Sequence, residues 1–162
     1  MRFKYPTQTK GVTIVEILVG VSLLALIVVF ITHTLNLYFS TGTLLQEKTR
    51  ASYLAYEGQE IMRYIRDEDW TVVSALTLDT THYFDVGAAT MTTTATPELI
   101  DGTYTRSVIV HNTYRDANDD LVASTTVGAS IDTGGRIVVT KVQWGADNEI
   151  RLESLLTNIF NI

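Results

Sequence analysis

Gly11, Val12 and Glu16 carry the most chemical information in this 162-residue chain. Glu16 stands inside an apolar run of 20 residues, Val12 to Ile31 (VTIVEILVGVSLLALIVVFI), where an ionised carboxylate is costly unless it has a partner or a task. Gly11 stands just before that run, between Lys10 and Val12, and is the one break there that resembles a processing site. A cut after Gly11 would give Val12 a free α-amino group, largely protonated near neutral pH, four residues from Glu16. Residues i and i+4 share a helix face, so the two charges can pair within one chain, and an amine from a neighbouring copy fits equally well. The chemistry this predicts is one proteolytic step and one amine–carboxylate pairing.

The element that must position these residues is the apolar run itself. As a helix it spans roughly 30 Å, the thickness of a bilayer core. The leader before it, residues 1–11 (MRFKYPTQTKG), carries Arg2, Lys4 and Lys10 and no acid, and the first charges after the run are Glu47 and Lys48. This asymmetry places the leader in the cytoplasm and the bulk of the chain outside. A secretory signal is cleaved after its apolar region, whereas Gly11 precedes it, so cleavage here would leave the helix on the mature protein.

Lys10, Gly11, Val12, Thr13, Ile14, Val15 and Glu16, followed by an unbroken apolar helix, resemble the class III signal of type IV prepilins and pseudopilins. The resemblance implies that a prepilin peptidase cuts after Gly11, that Val12 is N-methylated and that Glu16 assists docking into a growing filament. The chain departs from the family at Val12, where phenylalanine is usual. The resemblance further implies a structural subunit of a type IV pilus or a type II secretion-like pseudopilus, not an enzyme, with no cofactor. It would sit in the bacterial cytoplasmic (inner) membrane, single-pass with its N-terminus in the cytoplasm, before entering an extracellular or periplasmic filament. Its partners would be the peptidase and other pilin subunits, and the stretch EGQEIMRYIRDEDW looks more like minor pilins than the major one. The competing reading is an uncleaved signal anchor, with Glu16 snorkelling to the interface, that tethers a surface binding or adhesion protein.

The fold class expected is α+β: a long N-terminal α-helix, transmembrane in its first half, packed on a C-terminal antiparallel sheet as in pilins. Residues 12–31 form the span, 32–66 continue the helix and 67–162 form a β-rich head. Leu44, Ala51, Ala55, Gly58, Met62 and Ile65 recur at helical spacing and predict a packed face. One helix from Val12 to Arg66 would be about 80 Å long. Its weakest point is Ser40-Thr41-Gly42-Thr43, read equally as a hinge or as continuous helix. The acids Asp67, Glu68 and Asp69 end it, Asp69 caps a short helix through Trp70 to Leu76, and Trp70 seals the join to the sheet.

Strands are expected at Thr81–Val86, Thr103–Arg115, Arg136–Trp144 and Glu149–Phe160, the last two joined by a turn at Gly145-Ala146-Asp147-Asn148. Alternation puts Val138, Val142, Trp144, Ile150, Leu152 and Leu156 towards the helix. Thr90–Pro97 and Ala123–Gly135 are expected as exposed loops. The 25 threonines favour strands, and the net charge of −6 with no basic cluster does not indicate nucleic acid as a partner. Cysteine is absent, which removes disulfides and thiolate chemistry. Asp116, Asn118 and Asp120 match the opening of an EF-hand calcium loop, but Leu121 stands where glycine is needed and Val127 where a bidentate glutamate is needed. An Asp/Asn-rich hairpin turn is the better reading. His33, His82 and His111 have no neighbouring ligand motif.

Overall fold

The structure is a computed structural model that describes residues 11–86, 91–97 and 99–159. The leader up to Lys10, the start of the expected loop at Thr90 and the end of the last expected strand at Phe160 lie outside these residues. The chain divides into two compact units between Leu45 and Gln46, inside the helix α1 (Ile14–Glu68).

The first unit holds the apolar part of α1, which is long and apolar enough to cross a membrane. Its side chains lie open, with Ile14 83 % and Phe30 71 % exposed. The hydroxyls in this stretch turn back onto the helix: Ser22, Thr32 and Thr34 donate to the carbonyls of Leu18, Val28 and Phe30. Each of these hydroxyls is thereby satisfied without water. Ser40 and Thr43 do the same to Leu37 and Phe39, and the helix runs unbroken through the Ser40–Thr43 patch.

The second unit is the α+β arrangement that the pattern of elements predicts. The C-terminal part of α1, from Gln46, packs on an antiparallel sheet of order β2-β1-β4-β6-β7, with β3 and β5 also paired to β4. The strands are β1 (Thr81–Val86), β2 (Met91–Thr94), β3 (Leu99–Ile100), β4 (Tyr104–Arg115), β5 (Leu121–Val122), β6 (Ser130–Trp144) and β7 (Asn148–Thr157). Ala51, Ala55, Gly58, Met62 and Ile65 are buried on the sheet, whereas Leu44, expected with them, lies in the first unit and is exposed. All six sheet residues expected towards the helix lie in or against two apolar clusters. One gathers Ile61, Met62, Ile65, Phe84, Val108, Val110, Val138 and Leu156; the other gathers Ala51, Leu54, Ala55, Tyr104, Val142 and Trp144.

Gly58 is what lets helix and sheet approach. A Cβ built there falls 2.6 Å from Thr140 Cγ2 and 3.1 Å from Arg106 Cδ, inside contact distance, so a side chain would have to displace a buried strand residue. Beside it, Gln59 stitches the layers together. Its Nε2 donates to the carbonyls of Val138 (3.3 Å) and Leu152 (2.8 Å), and its Oε1 accepts from the Ser154 hydroxyl. Burying an amide this way is tolerable because both of its ends are bonded.

After α1, Asp69 caps the short helix α2 (Trp70–Ser74), accepting from the amide (2.8 Å) and hydroxyl (2.7 Å) of Thr71. Those two bonds hold the Asp69 carboxyl below its usual range. Trp70 packs against the first cluster with Leu76 and Leu78.

Two loop expectations need correction. Met91–Thr94 is an edge strand paired to β1 (Tyr83 opposite Thr94), in keeping with the β-branched threonines that fill it. Ser130–Gly135 belongs to β6, whose register against β4 jumps from Asn112–Arg136 to Thr113–Asp132. The three residues left over form an irregular bulge, and a Cβ on Gly135 would meet Thr113 Oγ1 at 2.5 Å. Gly135, read as part of a loop, is what permits this close approach.

Candidate functional site

Gly11 and Val12 precede the helix, and the bond between them is not part of it. Val12 is 65 % exposed, and apart from the chain neighbours no described residue lies within 4 Å of where a Cβ on Gly11 would stand. Thr13 is the residue at which the helix starts. Its carbonyl accepts from the amides of Glu16 (3.0 Å) and Ile17 (3.3 Å), and its Oγ1 takes a second, longer share of the Glu16 amide at 3.3 Å. A hydroxyl at the helix start that reaches the amide of the third helical residue makes the contact of an N-cap, here shared with the Thr13 carbonyl.

Glu16 is therefore the third residue of α1, in its first turn. A carboxylate there opposes the positive end of the helix dipole, a favourable placement in its own right. The pattern Thr13-x-x-Glu16 is also that of a capping box. The structure thus puts Gly11, Val12 and Glu16 together within one turn of the helix start and adds Thr13. Thr13 escapes attention when the segment is read for charge, although the Thr-x-x-Glu spacing before an apolar run is a helix-start signal visible in the sequence.

The second candidate, Asp116, Asn118 and Asp120, forms the turn between β4 and β5. Asp116 Oδ1 accepts from the amides of Asn118 (2.8 Å) and Asp120 (3.1 Å), and the Asp116 amide donates to the Asp120 carbonyl (3.0 Å). Asp119 takes up a left-handed φ of 70°. This is a self-closed hairpin turn, and among the described residues no group of three or more histidine, aspartate or glutamate side chains is placed to hold a metal ion. Next to it Arg115 bonds Asp132 at 2.8 Å, which holds the Asp132 carboxyl below the usual range against the opposing effect of burial.

The sheet face away from the helix carries an open groove of about 770 Å³. Ile137, Leu155 and Tyr114 line it, with His111 paired to Asp79 at 2.5 Å and Glu153 beside them. The turn residues 123–129 next to it include Val127, 98 % exposed. At the end of α1, Arg66 bonds its neighbour Asp67 at 2.8 Å.

Compared with protein-family models, with curated proteins and with solved structures, the chain matches none.

Proposed function

We propose that this chain is a structural subunit, of the minor pilin or pseudopilin kind, that is inserted through its apolar helix, cut between Gly11 and Val12, and assembled into a filament. The observation that carries the reading is the coincidence at the helix start. An exposed Gly11–Val12 bond outside the helix is followed by a carboxylate in the first turn of an apolar helix whose side chains lie open. An open apolar surface of this length is stable only in lipid or against other apolar helices. Removal from the bilayer is tolerable when like helices replace the lipid, which makes copies of such helices the natural partners. The back-bonded hydroxyls of Ser22, Thr32 and Thr34 suit both surroundings.

The rival reading, a tethered binding protein that is never cut, draws on the groove lined by Ile137 and Leu155. Cell fractionation separates the two. The processed-subunit reading expects the chain both in the cytoplasmic membrane and in filaments sheared from the surface or held in the periplasm. A chain found in the membrane alone, while filaments of the same system form normally without it, would favour the tether.

A further inference from the structure

We infer that Thr13 is a positioning residue for the cleavage: by fixing where α1 begins, it keeps the Gly11–Val12 bond outside the helix, where a peptidase can take it. The inference rests on the processed-subunit reading. Three observations carry it. Thr13 Oγ1 shares the Glu16 amide (3.3 Å) with the Thr13 carbonyl (3.0 Å), and that carbonyl also takes the Ile17 amide at 3.3 Å, so the first bonds of the helix converge on Thr13. Gly11 and Val12 lie outside the helix. Apart from its chain neighbours, no described residue comes within 4 Å of a Cβ position on Gly11.

The physical reason lies in how helices stop. An apolar helix in lipid gains one backbone bond for every residue added at its N-terminal end, because an unbonded amide in hydrocarbon is costly. Something must halt that growth before it reaches Val12 and Gly11. A carbonyl inside a helix is engaged by the amide four residues on, and its peptide bond is wrapped by the turn, so a nucleophile cannot reach it without unwinding. A capping threonine halts growth: its side chain supplies the bond that the next helical residue would otherwise supply, and it holds its own backbone in a non-helical conformation. Gly11 adds to the stop, since glycine is a poor helix former. Cleavage requires water to add across the Gly11–Val12 amide, leaving a carboxylate on Gly11 and an amine on Val12. Thr13 takes no part in that step and only holds the bond in place for it.

The test uses full-length precursor already inserted in membranes, with prepilin peptidase added, and follows the cleaved fraction with time. Loss of a cap of this kind costs about 1 kcal/mol, or roughly fivefold in population. Thr13→Val keeps the shape and removes the hydroxyl, and Thr13→Ala removes both; each is expected to slow cleavage about fivefold. Thr13→Ser and Thr13→Asn keep a capping oxygen in different shapes and are expected to cleave near the parent rate. Parent-like cleavage of Thr13→Val would overturn the inference. So would a Thr13→Asn chain as slow as Thr13→Ala, because the peptidase would then be reading threonine itself. Failure of the parent chain to be cut after Gly11 is a different result, one that removes the processed-subunit reading and this inference with it.

Discussion

Replacing Phe84 by alanine is expected to cost the sheet-bearing unit about 3–5 kcal/mol, a large share of the roughly 5–15 kcal/mol that holds a domain of this kind folded. Among the described residues Phe84 is the largest fully buried side chain, 2 % exposed. It reaches from β1 into the cluster that α1 supplies with Ile61, Met62 and Ile65. Its ring also lies 5.1 Å from the guanidinium of Arg106. Arg106 is a permanent charge with only 3 % of its side chain exposed. It is supported by Glu57 at 3.0 Å and by the Leu54 carbonyl at 3.4 Å, while its Nε has no hydrogen-bond partner among the described residues. Losing the ring therefore opens a cavity and strips a buried cation of its aromatic neighbour, two costs that add. Phe84→Leu, which fills most of the space, should lose much less. Denaturant unfolding of the full chain in detergent, read from the β-sheet signal, checks this. A midpoint unchanged in Phe84→Ala would show that the helix–sheet seam does not carry the fold.

The second large effect is functional. Glu16→Ala is expected to leave insertion and cleavage intact and to reduce filament incorporation at least about 100-fold, because removing one member of a desolvated charge pair costs about 3–5 kcal/mol. The magnitude matters, since Glu16 also has a local role in the first turn of a capped helix. A carboxylate in that place stabilises a helix by only about 0.3–1 kcal/mol, too little to abolish assembly. Glu16→Gln separates the roles: glutamine can complete a capping box but carries no charge. Incorporation of Glu16→Gln as poor as that of Glu16→Ala, measured as the ratio of filament to membrane chain, assigns the effect to charge. Parent-like incorporation of both variants would leave Glu16 with helix capping alone.

The elements that read well from sequence are those decided by local chemistry. Thr81–Val86, expected as a short strand, is a strand with those ends, and the Gly145 turn joins β6 to β7. Asp69 before Trp70-Thr71 is a cap because its carboxylate reaches only two residues ahead. What escaped depends on distant partners. At the bulge Gly135 lies against Thr113 of the neighbouring strand, and no pattern within β6 reveals that. Gln59 and Arg106 look like solvated polar residues until the opposite layer supplies each with a backbone carbonyl and the neighbouring strand lays the Phe84 ring against Arg106. Ser40-Thr41-Gly42-Thr43 contains poor helix formers, yet its Ser40 and Thr43 hydroxyls bond back to the turn before and the helix continues. At the candidate site the charges stand out in the sequence, while the cap is signalled only by the Thr13-x-x-Glu16 spacing. An unusual Glu16 draws the eye away from the ordinary Thr13 that defines where its helix begins.

Assembly as proposed depends on one covalent event, and the most direct measurement of it is mass spectrometry of the N-terminus of the chain purified from cells in which it is assembled. The prediction is a chain beginning at Val12, with its α-amine either free or methylated. A population that still begins at Met1 in cells with working filaments would contradict the processed-subunit reading and leave α1 as a permanent anchor.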